Sequence, residues 1–463
     1  MFAALSLAPI YLLGVGILSA QPALRAGSKP QGENGHRRQA ALVSGVLATG
    51  ILVNYLLVLG FESLRTALAV GCVLAVLGLV LGLRTYLTRR GRQPLPCSRT
   101  WLWSLPLVYV VALYGVLILT RPLADWDARS IWFFHAKIIY FQGALSEQSG
   151  WRNLLDAHAD YPKLLQTLAA QVAYVSGYWN EYLPKAALLV LLVPAAAGYF
   201  AFFERPISWV FLISMTFFPI YSEIWNGYAD GYFALYAGLA ILALGRWSES
   251  RRPHDLLLGF AALGIVSCLK NEGSFFLVCA GAALCAVGLL ERTKREDRSP
   301  ALIDWPALTY LVVVTLAGPS VWLAKKKAWG LHGDLELSGR YLADAWGRMT
   351  DGESFGLVVR NLFETQGLSH VLIPLAMGIV AARFLRVRIP FATWLPVCAA
   401  TLYLLGIAVV YLGTPHELLW HLRTSADRTV LPILVAFSVA AFLVLDAIED
   451  GRADDLQVTG GRP

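Results

Sequence analysis

PKLLQTLAAQVAYVSGYW, residues 162–179, is the stretch on which the topology of this chain turns. It is apolar enough to suggest a membrane crossing, yet Gln166, Gln171 and Ser176 interrupt it and Gly177 sits near its end. The surrounding chain is 57% hydrophobic and 15% charged, where soluble domains carry about 25% charged residues. Mean hydropathy is +0.57. Apolar runs of about 18–20 residues, the length that crosses a ~30 Å hydrocarbon core, recur from end to end. A soluble fold is excluded, and so is a β-barrel, which needs short alternating segments. The expected class is all-α, a polytopic transmembrane helix bundle of about 13 spans.

The runs place spans near 2–20, 40–59, 66–83, 101–120, 184–203, 207–222, 230–245, 254–269, 273–290, 304–323, 367–384, 391–412 and 429–446. The first run has no basic residue ahead of it, unlike a signal peptide, and is read as a span. Basic clusters follow the spans at Arg25–Arg38, Arg84–Arg99, Arg246–Arg252, Arg292–Arg298 and Arg383–Arg388. All five are cytoplasmic if the N-terminus is outside. This holds only if 162–179 does not cross; it is therefore expected as an interfacial helix on the outer face. The net charge of +7 then sits at span ends and implies a lipid bilayer, with no nucleic acid partner. Cys72, Cys268, Cys279, Cys285 and Cys398 lie in apolar runs and Cys97 in a basic loop, a pattern of buried small hydrophobes.

With that topology the polar residues hardest to explain as scaffold share one face. They are Asp125, Asp127, Asp160, Glu223, Asp230, Lys270, Glu272, Arg423, Asp427 and Arg428. Ionisable groups at the mouths of membrane helices are costly and mark functional paths, although any one of them read alone is equally a solvated or snorkelling side chain. Carboxylates there suit a general base acting on an acceptor hydroxyl. Guanidinium and ammonium groups suit a phosphate that leaves as an anion. Two positions apart, Asp125 and Asp127 point the same way in an extended segment but to different sides of a helix, where Asp125 would serve as an N-cap. Asp127 is expected as base and Asp125 as positioner or cap. Paired oxygens also suit Mg2+ or Mn2+.

ADWDARSIWFFHAKIIY (124–140), HADYPKLLQTLAA (158–170), LPKAALLVL (183–191), LKNEG (269–273) and HLRTSADRTVLP (421–432) together resemble the integral-membrane glycosyltransferases of the GT-C fold. Their members include protein O-mannosyltransferases, aminoarabinose transferases and oligosaccharyltransferases. The likeness covers about residues 101–446 and departs from the family where Trp126 separates two acids that are usually adjacent. It implies transfer of a sugar from a polyprenyl-phosphate donor to a lipid, glycan or protein acceptor, with inversion at the anomeric carbon. It also implies a bacterial inner membrane with the active site facing the periplasm. Arg423, Arg428 and Lys270 would hold the donor phosphate. His158, Asp160, Tyr161, Glu223, Asp230 and Glu272 would line the substrate. The chain then divides into N-terminal helices (1–100), a catalytic module (101–325) with external loop 121–184, a loop and C-terminal helices (326–446), and a disordered cytoplasmic tail (447–463). A lipid-linked-sugar flippase would instead carry charges midway along its spans, which are scarce here. An O-antigen ligase or polymerase would lack the acidic opening motif.

Overall fold

A computed structural model describes residues 35–89, 105–151, 158–202, 213–217, 219–294, 305–333, 339–365 and 367–460. The expected span 2–20, residues 207–212 of the sixth expected span and Cys97 lie outside these. The described chain is helical throughout, with one isolated bridge between Ser63 and Ala144. Helices α1 (Gly35–Phe61), α2 (Leu64–Arg89) and α3 (Leu105–Thr120) come first. A loop follows with a π-helical turn (Ala128–Trp132), α4 (Phe133–Gln142) and α5 (Leu164–Ser176). The chain continues through α6 (Ala186–Phe200), short α7 (Tyr221–Trp225), α8 (Asp230–Ser250), α9 (Pro253–Leu269), α10 (Asn271–Lys294) and α11 (Trp305–Ala328). It ends with α12 (Gly339–Thr350), α13 (Gly352–Arg360), α14 (Ser369–Phe384), α15 (Trp394–Gly413), α16 (Leu418–Thr429) and α17 (Leu431–Gly460).

Among the described residues, five segments are long and apolar enough to cross a membrane: Ala40–Phe61, Leu183–Phe200, Asn271–Leu290, Phe391–Gly413 and Leu431–Glu449. Leu64–Gly78, Leu105–Thr120 and Pro253–Leu269 are shorter apolar helices. Val116, Val278, Leu323, Met377 and Leu405 are exposed on the outside of the bundle. An outer surface of exposed aliphatic side chains, with polar groups gathered at helix ends, is what hydrocarbon surroundings select. The protein is a helical membrane protein.

α8 is the centre. Every residue from Asp230 to Gly245 is buried, as expected of a helix apolar on all sides, and α6, α9, α15 and α17 pack around it. Small residues allow the close crossings. A Cβ on Gly198 of α6 would lie 2.7 Å from Leu239 of α8 and 2.8 Å from Ser44 of α1. At one end of α8 stands Asp230; at the other, Arg246 pairs with Asp446 of α17 at 2.8 Å.

Two expectations need correction. Residues 162–179 contribute α5, 13 residues long, or about 20 Å. It is too short to cross, but it does not lie on a surface either. Leu164 through Ala173 are all buried, because the polar interruptions found partners inside. Gln171 and Asn54 of α1 exchange two amide hydrogen bonds, at 2.8 and 3.1 Å. The tail expected to be disordered from residue 447 instead continues α17 to Gly460. Its acidic composition argued for disorder, but a helix already nucleated by an apolar span propagates at little cost until something breaks it.

The Asn54–Gln171 pair gives a test of this packing. Asn54→Leu and Gln171→Leu should each lower stability by about 1–2 kcal/mol, since each strands a buried amide. The double variant should recover part of the loss, read as a thermal-unfolding double-mutant cycle in detergent.

Candidate functional site

The loop after α3 is tied down first. Lys185, at the start of α6, donates from Nζ to the Arg121 carbonyl at 2.8 Å. The chain then enters the π-helical turn with Asp127 at its N-terminal boundary, where the side chain makes no capping hydrogen bond. The carboxylate is not used to end a helix. It forms an ion pair with Arg428 of α16, so the early acid and the late arginine meet across the bundle. The Arg428 guanidinium also lies 5.0 Å from the Tyr228 ring and donates to the Thr424 carbonyl at 2.9 Å. Tyr411 of α15 sets the position of α16, its hydroxyl lying 2.9 Å from Ser425 and 2.8 Å from Thr429.

Tyr228 belongs to the WNGY turn (225–228), and that turn needs its glycine. Gly227 has φ +104, and a Cβ there would meet Leu123 at 2.6 Å and Ala128 at 3.1 Å. The turn therefore lies directly against the loop that carries Asp125 and Asp127. Asp125 is half-buried, with Lys185 as an electrostatic neighbour.

LKNEG (269–273) is a junction rather than a loop. Lys270 alone is extended between α9 and α10, and a Cβ on Gly273 would run into the Val266 carbonyl. Lys270 is buried and reaches Asp230 at 2.8 Å and Glu272 at 3.2 Å. Its Nζ lies 5.8 Å from the Tyr161 ring. Burial alone would lower the lysine pKa, but the two carboxylates outweigh it and hold the ammonium above its ordinary value. Arg428 likewise titrates above its usual range: burial opposes this, while Asp230 and Asp127 outweigh it.

Asp160 anchors the other flank. It accepts from Asn271 at 2.5 Å and Lys326 at 3.1 Å, and its carbonyl accepts from Trp322 at 3.1 Å. Lys325 pairs with Glu62, so two of the three lysines at 325–327 are neutralised within the fold. Tyr161 stacks between Trp132 and His158, at 5.6 and 4.7 Å between ring centres.

The structure thus gathers Asp127, Arg428, Asp230, Lys270 and Glu272, with Tyr161 above them, and brings Asp160 to the same end of the bundle. It leaves Arg423 out. Arg423 is exposed, and five residues before Arg428 it projects about 140° around α16. Lys270, flanked by two carboxylates, ties helices together rather than offering a free cation to phosphate. Tyr228 and Lys163 were missed by the sequence reading. Lys163 is fully buried, donates to the Ala159 carbonyl at 2.8 Å and lies 3.3 Å from His135 Nδ1. Burial pulls its pKa down to about 7, with Asp160 opposing and Lys326 adding. Nothing local in the sequence signals the burial of this lysine beside a proline at a helix start.

Among the described residues, three buried carboxylate oxygens have no hydrogen-bond donor: Glu223 Oε2, Asp230 Oδ2 and Glu272 Oε2. They are acceptors ready for hydroxyl or ammonium groups. A divalent ion fits this donor set poorly. Among the described residues no three His, Cys, Asp or Glu side chains converge to hold one, and Asp127 is engaged by Arg428. No family model matches this chain, and no curated protein or solved structure matches it either.

Glu223 provides a pH test. A Cβ on Gly231 would meet the Glu223 carbonyl at 2.7 Å, so α7 is pressed onto the start of α8. Burial and the nearby Asp230 raise the Glu223 carboxyl from 4.5 to about 7. The folded state therefore holds this proton more tightly than the unfolded chain. Stability should fall as pH rises from about 4.5 to 7 and then level off, by at most on the order of 3 kcal/mol. Thermal midpoints measured from pH 5 to 8 should show that slope in the native protein and a flatter one in Glu223→Gln.

Proposed function

We propose that this protein is a membrane glycosyltransferase of GT-C type that moves a sugar from a polyprenyl-phosphate donor to an acceptor hydroxyl at the outer face. The observation that carries the reading is the Asp127–Arg428 pair: a base and an anion-binding group, from sequence-distant segments, at one helix-mouth site. Asp127 takes the proton from the acceptor hydroxyl as its oxygen attacks the anomeric carbon. The bond from that carbon to the phosphate oxygen breaks, and the phosphate leaves with the electron pair against Arg428. Donor phosphate arriving at the guanidinium takes the place of the Asp127 carboxylate, which frees the base when the leaving group is seated. The unpartnered oxygens of Glu223, Asp230 and Glu272 receive sugar or acceptor hydroxyls. Asp125 positions the loop. The thirteen-span, N-outside topology belongs to the same proposal, with the inner membrane of a bacterium as its setting.

Purified protein supplied with a panel of polyprenyl-phosphate sugars should release polyprenyl phosphate. Asp127→Asn should slow release by about 10²–10⁴-fold, the scale of a lost general base. Arg428→Lys should also be impaired, because an ammonium does not reproduce the guanidinium fork. Asp125→Asn should cost less than Asp127→Asn. Undiminished release in both aspartate variants would remove the proposed base. Trp126 is 62% exposed, so a cysteine placed there reports sidedness. An impermeant maleimide should label Trp126→Cys from outside intact spheroplasts, and labelling only after lysis would sink the outer-face reading.

A further inference from the structure

α4 and the π-helical turn before it have a second working flank. Arg129, Phe133 and Lys137 recur every four residues and so share one stripe, about half a turn from Asp127. They line an open cleft of ≈ 520 Å³. Glu181 and Tyr182, just ahead of α6, and Pro122 and Leu123, just after α3, complete its lining. The Lys185–Arg121 hydrogen bond holds these two helix ends together. The cleft therefore opens where two apolar helices reach their ends.

We propose that this cleft binds the phosphodiester headgroup of an anionic membrane lipid, at a site separate from the Asp127–Arg428 pair. Charge is the first argument. Lys137 and Glu181 satisfy one another at 3.2 Å, and Glu181 also accepts from Trp179 Nε1 at 3.3 Å. Arg129 is exposed and, among the described residues, has no carboxylate within ion-pair distance. The cleft therefore carries one surplus positive charge, the complement of a single phosphodiester, and the guanidinium fork fits two of its oxygens. The second argument is what lies below. Val108, Tyr109, Val116 and Leu119 are exposed along α3 by 58%, 60%, 61% and 44%. They provide an apolar track leading toward Pro122 and Leu123, suited to acyl chains. A free phosphate would use Arg129 but not that track. Phe134 and Tyr182 are 37% and 44% exposed at the rim, the placement of aromatic side chains at headgroup level. This assignment does not depend on the glycosyl-transfer reading.

The test uses the full chain in detergent, titrated with dioleoylphosphatidylglycerol and with dioleoylphosphatidylcholine and read by native mass spectrometry. Arg129→Gln should weaken phosphatidylglycerol binding about tenfold or more, as expected for a lost charge-assisted contact, and leave phosphatidylcholine unchanged. Arg129→Lys should restore part of it. Lys137→Gln, whose charge Glu181 already shares, should have a smaller effect, and Asp127→Asn none. Unchanged unfolding temperatures certify that the variants are folded. Retained phosphatidylglycerol affinity in folded Arg129→Gln overturns the proposal, and so does an equal loss in Asp127→Asn, which would put the lipid in the other site. Competition by inorganic phosphate or glycerophosphoglycerol as strong as that of the lipid overturns the lipid assignment.

Discussion

An ion withdrawn from water must find its counterion within the fold, and in this bundle the counterions come from sequence-distant segments. Asp230 opens α8, Lys270 breaks α9 from α10, Glu272 opens α10, and Arg428 arrives on α16. Asp160 on the loop is matched by Lys326 at the end of α11. Removing one member of such a pair leaves an uncompensated buried charge, typically costing 3–5 kcal/mol. Replacing both members with apolar groups is often far less damaging. The ionic cluster therefore specifies which helix ends may meet more than it adds stability. Everything near Asp127 depends on those meetings.

The distribution of environments along α8 follows from the same requirement. The interior of the helix has neighbours on every side and offers only aliphatic, aromatic and small residues to them. Ionised groups are admitted at its two ends, Asp230 at one and Arg246 at the other, each with a partner. Tyrosines link helices between these limits by donating to carbonyls, Tyr236 to Leu191 and Tyr199 to Leu235. A neutral hydroxyl with one acceptor costs far less to bury than an ion.

Much of this was legible in the sequence, for physical reasons that also explain what was not. The helical class followed from the length of the apolar runs. Asp127, Asp230, Lys270 and Arg428, which the sequence reading put together by asking which helix ends share a side, are gathered in the structure. The face of α16 was less accessible. Arg423 and Arg428 have the same chemistry five residues apart, and only the register set by Tyr411 against Ser425 and Thr429 decides which one turns inward. The burial of α5 was hidden because Gln171 reads as a concession to water unless Asn54, 117 positions away, is known to face it. The pairing of Lys325 and Lys326 was hidden for a related reason. Their partners Glu62 and Asp160 lie far off in sequence, so nothing near the lysines announces that these charges are matched inside the fold.

The geometry around Arg428 bears on how a site of this kind could switch between resting and loaded states. A guanidinium that is four-fifths buried cannot lose its counterion without a large electrostatic cost. Asp127 meets that need while the site is empty. A phosphate meets it as well, with at least as much negative charge and oxygens that suit the guanidinium fork. Exchange of one anion for the other keeps the cation matched throughout, so the step avoids the penalty that would attend simple departure of the carboxylate. On the glycosyl-transfer reading, Asp127 then becomes available only beside a seated leaving group. Its loop remains held meanwhile by Lys185 on Arg121 and by Gly227 against Leu123. A base held in reserve by the group that later holds the leaving phosphate would restrain proton abstraction from an acceptor that arrived before its donor.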